Sequence, residues 1–154
     1  MKRALLIVLL GIGFSASAQA ESLEIRPFIA DRFEGDCGVR RDYDFHDENN
    51  SLSQPLAKYV VSEKSEDEEG VFSSTTYKLK NVFYDGIPVV KIGFGFGNLA
   101  KQMNEELYLD LREPKAKAQF QQLQFKQQRK KDYTDIDVTV EKNIAIVHCY
   151  WDGS

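Results

Sequence analysis

Polar and apolar residues alternate at a spacing of two along much of the second half of the chain, which is typical of β-strands with one buried face. The alternation is clearest in residues 71–84 and 87–97, two β-prone runs on either side of Asp85-Gly86. An Asp-Gly pair in this position is a strong signal for a hairpin with a two-residue turn. The sequence therefore predicts a β-hairpin in which Tyr84 faces Ile87.

The turn also predicts the register of this hairpin, because pairing proceeds outward from Tyr84 and Ile87. One side of the hairpin is then mostly apolar, with the predicted pairs Asn81–Val90, Leu79–Ile92, Tyr77–Phe94 and Thr75–Phe96. The other side has the predicted pairs Val82–Val89, Lys80–Lys91, Lys78–Gly93 and Thr76–Gly95. A bulge near Asn81 or Pro88 would change this register.

The same alternation predicts further strands towards the end of the chain. Leucines at 107, 109 and 111 indicate a third strand next to the hairpin. Alternating β-branched residues in 136–140 and 144–146 indicate a second hairpin. Residues 141–143 are predicted to form its three-residue turn, because Asn143 tolerates the left-handed conformation.

A helix is predicted between these strands. Pro114 suits the first turn of a helix, and Ala116, Phe120 and Leu123 recur at helical spacing. We therefore expect a helix from Pro114 to about Arg129. Its end is basic, which stabilises a helix C-terminus or contacts an anionic partner; the basic residues are Lys126, Arg129, Lys130 and Lys131.

The first part of the chain is less regular. Glu21–Gln54 contains weak signals for short strands near residues 24–29 and 38–45, and Lys58–Ser62 predicts another strand. Ser62–Gly70 is densely charged, which predicts a solvated loop. A cation site is the alternative there, although its acidic residues lack the spacing of a calcium loop. Together the elements predict an α+β fold: a mainly antiparallel sheet of five or more strands with one helix, residues 114–129, packed on one face.

The first 20 residues have the pattern of a secretory signal. Lys2 and Arg3 precede a short apolar run, and Ala18-Gln19-Ala20 is a small-residue cleavage site. An uncleaved interfacial helix is the alternative. We expect cleavage before Glu21, a single domain over residues 21–154, no membrane span after cleavage, and a periplasmic or otherwise secreted location.

Cys37 and Cys149 are the two cysteines of the sequence. An even pair in an oxidising compartment predicts a disulfide. A catalytic or metal-binding thiol is the alternative, but no catalytic signature surrounds either residue. The predicted disulfide would close a long loop, which corresponds to about 4–5 kcal/mol of stabilisation in the chain-entropy account.

Charge and motifs narrow the classes of ligand. Removing residues 1–20 leaves 134 residues and changes the formal net charge from −4 to −6. Such an acidic chain repels the phosphate backbone, so we expect no general nucleic-acid binding. The sequence also lacks the motifs of nucleotide, zinc and redox sites, so it predicts no cofactor and no metal.

Two histidines are candidates for acid–base chemistry. His46 lies among the aspartates of 42–47, which suits a general base or a metal ligand, but one histidine does not make a ligand set and a solvated loop is favoured. His148 continues a strand alternation and is expected to be half-buried and hydrogen-bonded. Glu105 and Glu106 are one of many carboxylate pairs, so their presence does not by itself indicate glycosidase chemistry.

The stretch 92–98, Ile-Gly-Phe-Gly-Phe-Gly-Asn, has a glycine at every second residue. A phosphate loop needs its glycines at a strand-to-helix turn, so these glycines instead predict the bare outer side of a strand. With lysines of the same side they define a glycine–lysine strip: Lys78, Lys80, Lys91, Gly93 and Gly95. A solvated sheet face is one interpretation of this strip. A partner-binding surface is the other, because like charges facing each other across strands are unfavourable for stability.

The sequence favours a small exported binding protein without catalysis of its own, such as an inhibitor or immunity-type partner of a secreted or envelope enzyme. Its partner would be another exported or envelope protein. One alternative is a binder of small ligands or envelope saccharides, with a pocket lined by Tyr77, Phe94, Tyr108 or Trp151. The other alternative is a hydrolase that uses a histidine, His46 or His148, with nearby carboxylates.

Overall fold

The computed structural model describes residues 21–37, 52–97, 99, 102–123, 125 and 134–152. Its strands are β1 (Leu23–Glu24), β2 (Val60–Glu68), β3 (Phe72–Leu79), β4 (Val82–Tyr84), β5 (Ile87–Gly97), β6 (Gln102–Asp110), β7 (Thr134–Glu141) and β8 (Ile144–Asp152). Its helices are α1 (Arg26–Ala30), α2 (Ser53–Ala57) and α3 (Pro114–Phe120). A π-helical segment, Asp31–Asp36, continues α1.

One sheet contains all of these strands. Its neighbours follow the order β2, β3, β5, β6, β8 and β7, and each of these pairs is antiparallel. β4 pairs with the first part of β5, beyond the end of β3, and β1 adds to β4 in parallel. The predicted α+β class with a mainly antiparallel sheet is therefore confirmed, as are the central hairpin and the C-terminal hairpin.

The central hairpin has the predicted turn but a different register farther out. Tyr84 pairs with Ile87 as predicted. In β3, however, Lys78 rather than Lys80 is opposite Lys91, so the pairs predicted for this strand are wrong by two residues. A shift of two returns every side chain to the same face. The division between the apolar and the polar side of the hairpin is therefore as predicted.

The shift arises because Lys80 and Asn81 leave the β3–β5 ladder. Asn81 has a φ of 59°, a left-handed conformation that asparagine tolerates. The Lys80 N–H donates to the Tyr59 carbonyl at 3.1 Å, and the Asn81 carbonyl accepts from the Leu23 N–H at 3.0 Å. Distant segments of the chain therefore provide hydrogen-bond partners for the backbone of these two residues. The local sequence of the hairpin does not predict these bonds.

One face of the sheet, the core face, is covered by the segment that follows β1. Ile29 and Phe33 in this segment are fully buried. Beside them Arg32 contacts Glu105 of β6 at 2.8 Å. The Cys37–Cys149 disulfide then joins the end of the segment to β8, with 5.5 Å between the Cα atoms. The predicted disulfide is confirmed, and the covering segment is fixed to the sheet over β6 and β8.

The helix α3 is shorter than predicted. It ends at Phe120, and the 3.2 Å bond from the Leu123 N–H to the Phe120 carbonyl belongs to a following turn. The turn brings Phe125 back, with its ring centroid 5.7 Å from those of Phe120 and Tyr84. Packing of this aromatic group replaces the next helical turns. Residues 124 and 126–129 of the predicted helix lie outside the described residues.

The charged stretch from Ser62 is a strand, so the loop predicted there is wrong as far as Glu68. β2 runs alongside β3 at the edge of the sheet, from Val60 opposite Leu79 to Glu68 opposite Phe72. β3 satisfies one side of its backbone, while its side chains extend into solvent on both faces. Charged residues suit such an edge, because they oppose pairing with other chains.

Two smaller predictions also change. The strand predicted for residues 24–29 ends at Glu24, because Arg26 begins α1 with Pro27 in its first turn. The predicted three-residue turn 141–143 has two residues, since Glu141 pairs with Ile144. Lys142 and Asn143 have φ of 49° and 66°, as a tight hairpin turn requires. The strand predicted for 38–45 lies outside the described residues.

Candidate functional site

The face opposite the core face contains a groove of about 390 Å³ above two glycines of β5, Gly93 and Gly95. We call it the glycine groove. Pairing places Thr76 of β3 and Glu106 of β6 on either side of Gly93, and Ser74 and Asn104 on either side of Gly95. The remaining residues that line the groove are Glu66, Phe72, Phe94 and His148. Side chains from β2, β3, β6 and β8 therefore converge on one bare stretch of β5.

The floor of the groove is glycine where neighbouring side chains lie close to the β5 backbone, most tightly at Gly95. A Cβ at Gly95 would be 2.4 Å from Cζ of the Phe72 ring. A Cβ at Gly93 would be 3.2 Å from Oε2 of Glu106. Glycine in a strand permits this close approach. The alternating glycines thus belong to a strand, as predicted, and they hold an aromatic ring and a carboxylate against its backbone.

Glu106 is oriented by a chain of contacts along the same face. The Tyr108 hydroxyl donates to Glu106 Oε2 at 2.5 Å. The Lys91 ammonium lies 3.7 Å from the centroid of the Tyr108 ring, where the ring attracts a cation. Burial, together with the hydrogen bond to Glu106, raises the pKa of the Tyr108 phenol. The phenol is therefore protonated at neutral pH and continues to donate to the carboxylate.

His148 is half-buried and hydrogen-bonded, as predicted. Its Nε2 lies 3.2 Å from Asn104 Oδ1, which can only accept, so the imidazole N–H donates to the amide. On the strands beside β8, its direct neighbours are Glu106 and Asp137. Next to it Cys149 is bonded to Cys37 and is not a free thiol.

The predicted glycine–lysine strip is divided by the structure. Lys78, Lys91, Gly93 and Gly95 lie on the groove face, with Lys78 directly opposite Lys91 and Thr76 opposite Gly93. Lys80 lies away from them, on the border of a second cavity of about 400 Å³ with Glu21, Lys58, Tyr59, Val60, Val61 and Asn81. The bare side of the strand predicted from the alternation is the floor of a groove with walls.

The other predicted candidates are located elsewhere. His46 and the basic residues 126 and 129–131 lie outside the described residues. Tyr77 and Phe94 pack their rings edge to face at 6.3 Å and are buried with the core. Of the four aromatic residues predicted to line a pocket, Phe94 lines the glycine groove and the other three do not. In the described ranges, no three His, Cys, Asp or Glu side chains are grouped as a metal site would require. No helix in these ranges is both long and apolar enough to span a membrane.

Sequence reasoning missed several groove residues, including Phe72, Glu66 and Asn104. The sequence does not reveal Phe72 and Glu66, because its charge pattern predicts a loop where β2 lies and its turn predicts a β3 register that is wrong by two residues. Asn104 was missed because β6 was expected to begin near Leu107. Continuing the leucine alternation backwards from Leu107 would have placed Glu106 and Asn104 on the face of the glycines.

No protein-family model, no curated protein and no solved structure matches this chain.

Proposed function

We propose that this protein is an exported, non-catalytic binding protein that holds a small ligand in the glycine groove. The observation that carries the proposal is the groove itself, a cavity of about 390 Å³ with polar groups from four strands directed into it. Ligand sites are typically cavities of about 300–1,000 Å³ with a few convergent polar groups. The groove is formed by strands of one hydrogen-bonded sheet, so it is pre-organised for a ligand.

A binding role suits the groups in the groove better than a catalytic one. His148 donates to the neutral amide of Asn104, which lacks the negative charge with which a triad carboxylate stabilises an imidazolium. Glu106 accepts from Tyr108, which fixes its orientation. These contacts set the positions of donors and acceptors. That is what selective binding requires.

The location is supported by the Cys37–Cys149 disulfide, since disulfides persist in oxidising compartments. It agrees with the secretory pattern of residues 1–20. A periplasmic or otherwise secreted location is therefore part of the proposal. Thiol titration of the folded, exported protein checks the disulfide on which this support rests, with no reactive thiol as the expected result.

A second candidate function is favoured by Lys78 and Lys91. These like charges are direct cross-strand neighbours, an arrangement that is unfavourable for the sheet alone. They would suit an acidic surface of another exported protein, so that this chain acts as an inhibitor or immunity-type partner. The pair lies beside Thr76 and Gly93, at one end of the groove.

Filling the groove separates these functions. Thr76→Trp places a large β-prone side chain in the groove, and Thr139→Trp on β7 is the matched control because Thr139 is exposed on the same face outside the groove. Lys78→Glu/Lys91→Glu reverses the charge of the lysine pair. Each protein is first shown to be folded by circular dichroism. It is then immobilised and incubated with envelope extract. Retained small molecules and proteins are identified by mass spectrometry and re-bound in purified form.

We expect a small molecule that binds to wild type and to Thr139→Trp but not to Thr76→Trp. A protein lost only on charge reversal would instead establish the second candidate. Equal retention by all four proteins would refute the proposed function.

A further inference from the structure

We propose that the ligand of the glycine groove is a saccharide, a neutral ring with several hydroxyl groups. This inference rests on the proposed function and specifies its ligand. It follows from three properties of the lining: its charge, its supply of hydrogen-bonding groups and the position of its aromatic ring.

The charge of the groove disfavours ionic ligands. Two of its side chains, Glu66 and Glu106, are carboxylates that would repel a phosphate or a carboxylate. A cation is also poorly matched, because lysine ammonium groups already lie beside these carboxylates or their partners. Glu66 forms an ion pair with Lys64, and Glu106 accepts from Tyr108, on whose ring a lysine ammonium lies. A neutral ligand is left as the best match.

The hydrogen-bonding groups require a ligand that both donates and accepts. Glu106 carries acceptor oxygens only, whereas the Asn104 amide can donate its N–H groups because its Oδ1 is used by His148. Ser74 and Thr76 on the opposite wall can do either. A hydroxyl group can donate to a carboxylate and accept from an amide at the same time. Several hydroxyls on one ring would therefore satisfy both walls.

The aromatic ring adds an apolar contact to this polar lining. Phe72 lies over Gly95, is half-buried, and borders the groove. An aromatic side chain beside polar groups suits a ligand that is apolar on one surface and polar around its edge. The C–H face of a pyranose has this character, and an open-chain polyol lacks it.

NMR titration of the ¹⁵N-labelled chain, residues 21–154, tests this inference. The probes are glucose, galactose, N-acetylglucosamine and the disaccharides maltose and cellobiose. Sorbitol is the open-chain control, arginine amide the cationic control and glucose 6-phosphate the anionic control. We expect saturable shifts of the Gly93 and Gly95 amides with at least one pyranose and none with sorbitol. Glu106→Gln should weaken that binding about tenfold or more, since a hydrogen bond to a charged group is lost.

Glu63→Gln is the matched control for Glu106→Gln, because Glu63 lies on β2 opposite Tyr77, on the core face of the ladder. The affinity of Glu63→Gln for the same sugar should equal that of wild type. If arginine amide or glucose 6-phosphate binds saturably and no neutral sugar does, the saccharide assignment is overturned and the groove remains a binding site. Absence of saturable shifts with every neutral sugar would overturn it as well. The proposed function itself fails only if Thr76→Trp also leaves ligand retention from the envelope extract unchanged.

Discussion

Glu105 and Glu106 are neighbours in β6, but they lie on opposite faces of the sheet and in different environments. Glu105 is on the core face, 2% exposed, in contact with Arg32 and paired across strands with Phe94 and Cys149. Glu106 is in the glycine groove, where it accepts from Tyr108. Strand alternation alone sends one carboxylate into the core and the other to a solvent-facing site.

The difference shows how one strand can serve two purposes. On the core face the carboxylate is buried with an arginine, and burial raises the pKa of Glu105 to about 7 while Arg32 opposes the rise. On the groove face the carboxylate remains accessible to a ligand. The first carboxylate affects whether the chain folds, and under the proposed function the second affects what it binds. Substitutions at the two faces should therefore have separable effects.

The largest effect is expected from breaking the buried ion pair. Arg32→Met should lower the free energy of unfolding by about 3–5 kcal/mol above pH ~7, because Glu105 must then be buried either as an unpaired ion or with a proton that the unfolded chain does not bind. Urea denaturation followed by circular dichroism measures the loss. Arg32→Met/Glu105→Leu should recover most of it, since the removal of both charges leaves an apolar contact. If the double variant is as unstable as the single one, the charge of Glu105 is not the cause.

The pH dependence of stability sharpens the same point. Between its ordinary pKa and about 7, Glu105 binds a proton in the folded chain and not in the unfolded chain. The contribution of this proton binding to the free energy of unfolding is therefore complete at low pH and is lost as the pH rises towards and through 7. Between pH ~5 and pH ~8, the free energy of unfolding of wild type should fall by about 2–3 kcal/mol relative to that of Glu105→Gln. Parallel pH profiles of the two proteins would contradict the raised pKa.

On the groove face a glycine substitution should have a smaller effect. Gly95→Ala should cost about 1–2 kcal/mol, because the new methyl group would displace the Phe72 ring. Gly93→Ala should change stability by less than about 0.5 kcal/mol, because the Glu106 carboxylate can move and alanine is less flexible than glycine in the unfolded chain. Thermal unfolding provides both values. In a double-mutant cycle, Phe72→Ala should remove the cost of Gly95→Ala, whereas additivity would show that the two residues do not interact.

The smallest effect, and one of opposite sign, is expected at the lysine pair. Lys78→Glu should stabilise the chain by about 0.2–1 kcal/mol, because it places opposite charges across β3 and β5. Lys80→Glu is the matched control, since Lys80 is outside this ladder. Urea midpoints at low ionic strength distinguish them. Stabilisation by Lys80→Glu instead would favour the register predicted from the turn.

How far the sequence predicts this molecule is clear from the central hairpin. Asp85-Gly86 correctly predicts the turn, and the period-two alternation correctly assigns the faces of Tyr77, Ile92 and Gly93, because both signals are local. The two-residue shift depends on bonds from Lys80 and Asn81 to Tyr59 and Leu23. Contacts between distant residues leave no mark in the local pattern.

The candidate site shows the same limit. Its floor is predicted correctly from the alternating glycines, but its walls come from strands whose register the turn does not determine. β2 reads as a loop because charged residues usually remain solvated, although pairing with β3 satisfies its backbone. The core-face ion pair was not predicted either, since nothing near Arg32 in the sequence indicates that it meets Glu105.

Glu24 places a limit on how the chain can be processed. Its two carboxylate oxygens accept the backbone N–H groups of Asp85 and Gly86 at 2.8 and 3.1 Å. The tip of the central hairpin is thus hydrogen-bonded to a residue that lies 61 positions earlier in the chain than Asp85. The predicted cleavage before Glu21 would retain this acceptor, whereas removal of just a few more residues would leave the hairpin without it. Glu24 is a structural component of the turn, so the position of the predicted cleavage site bears on the fold as well.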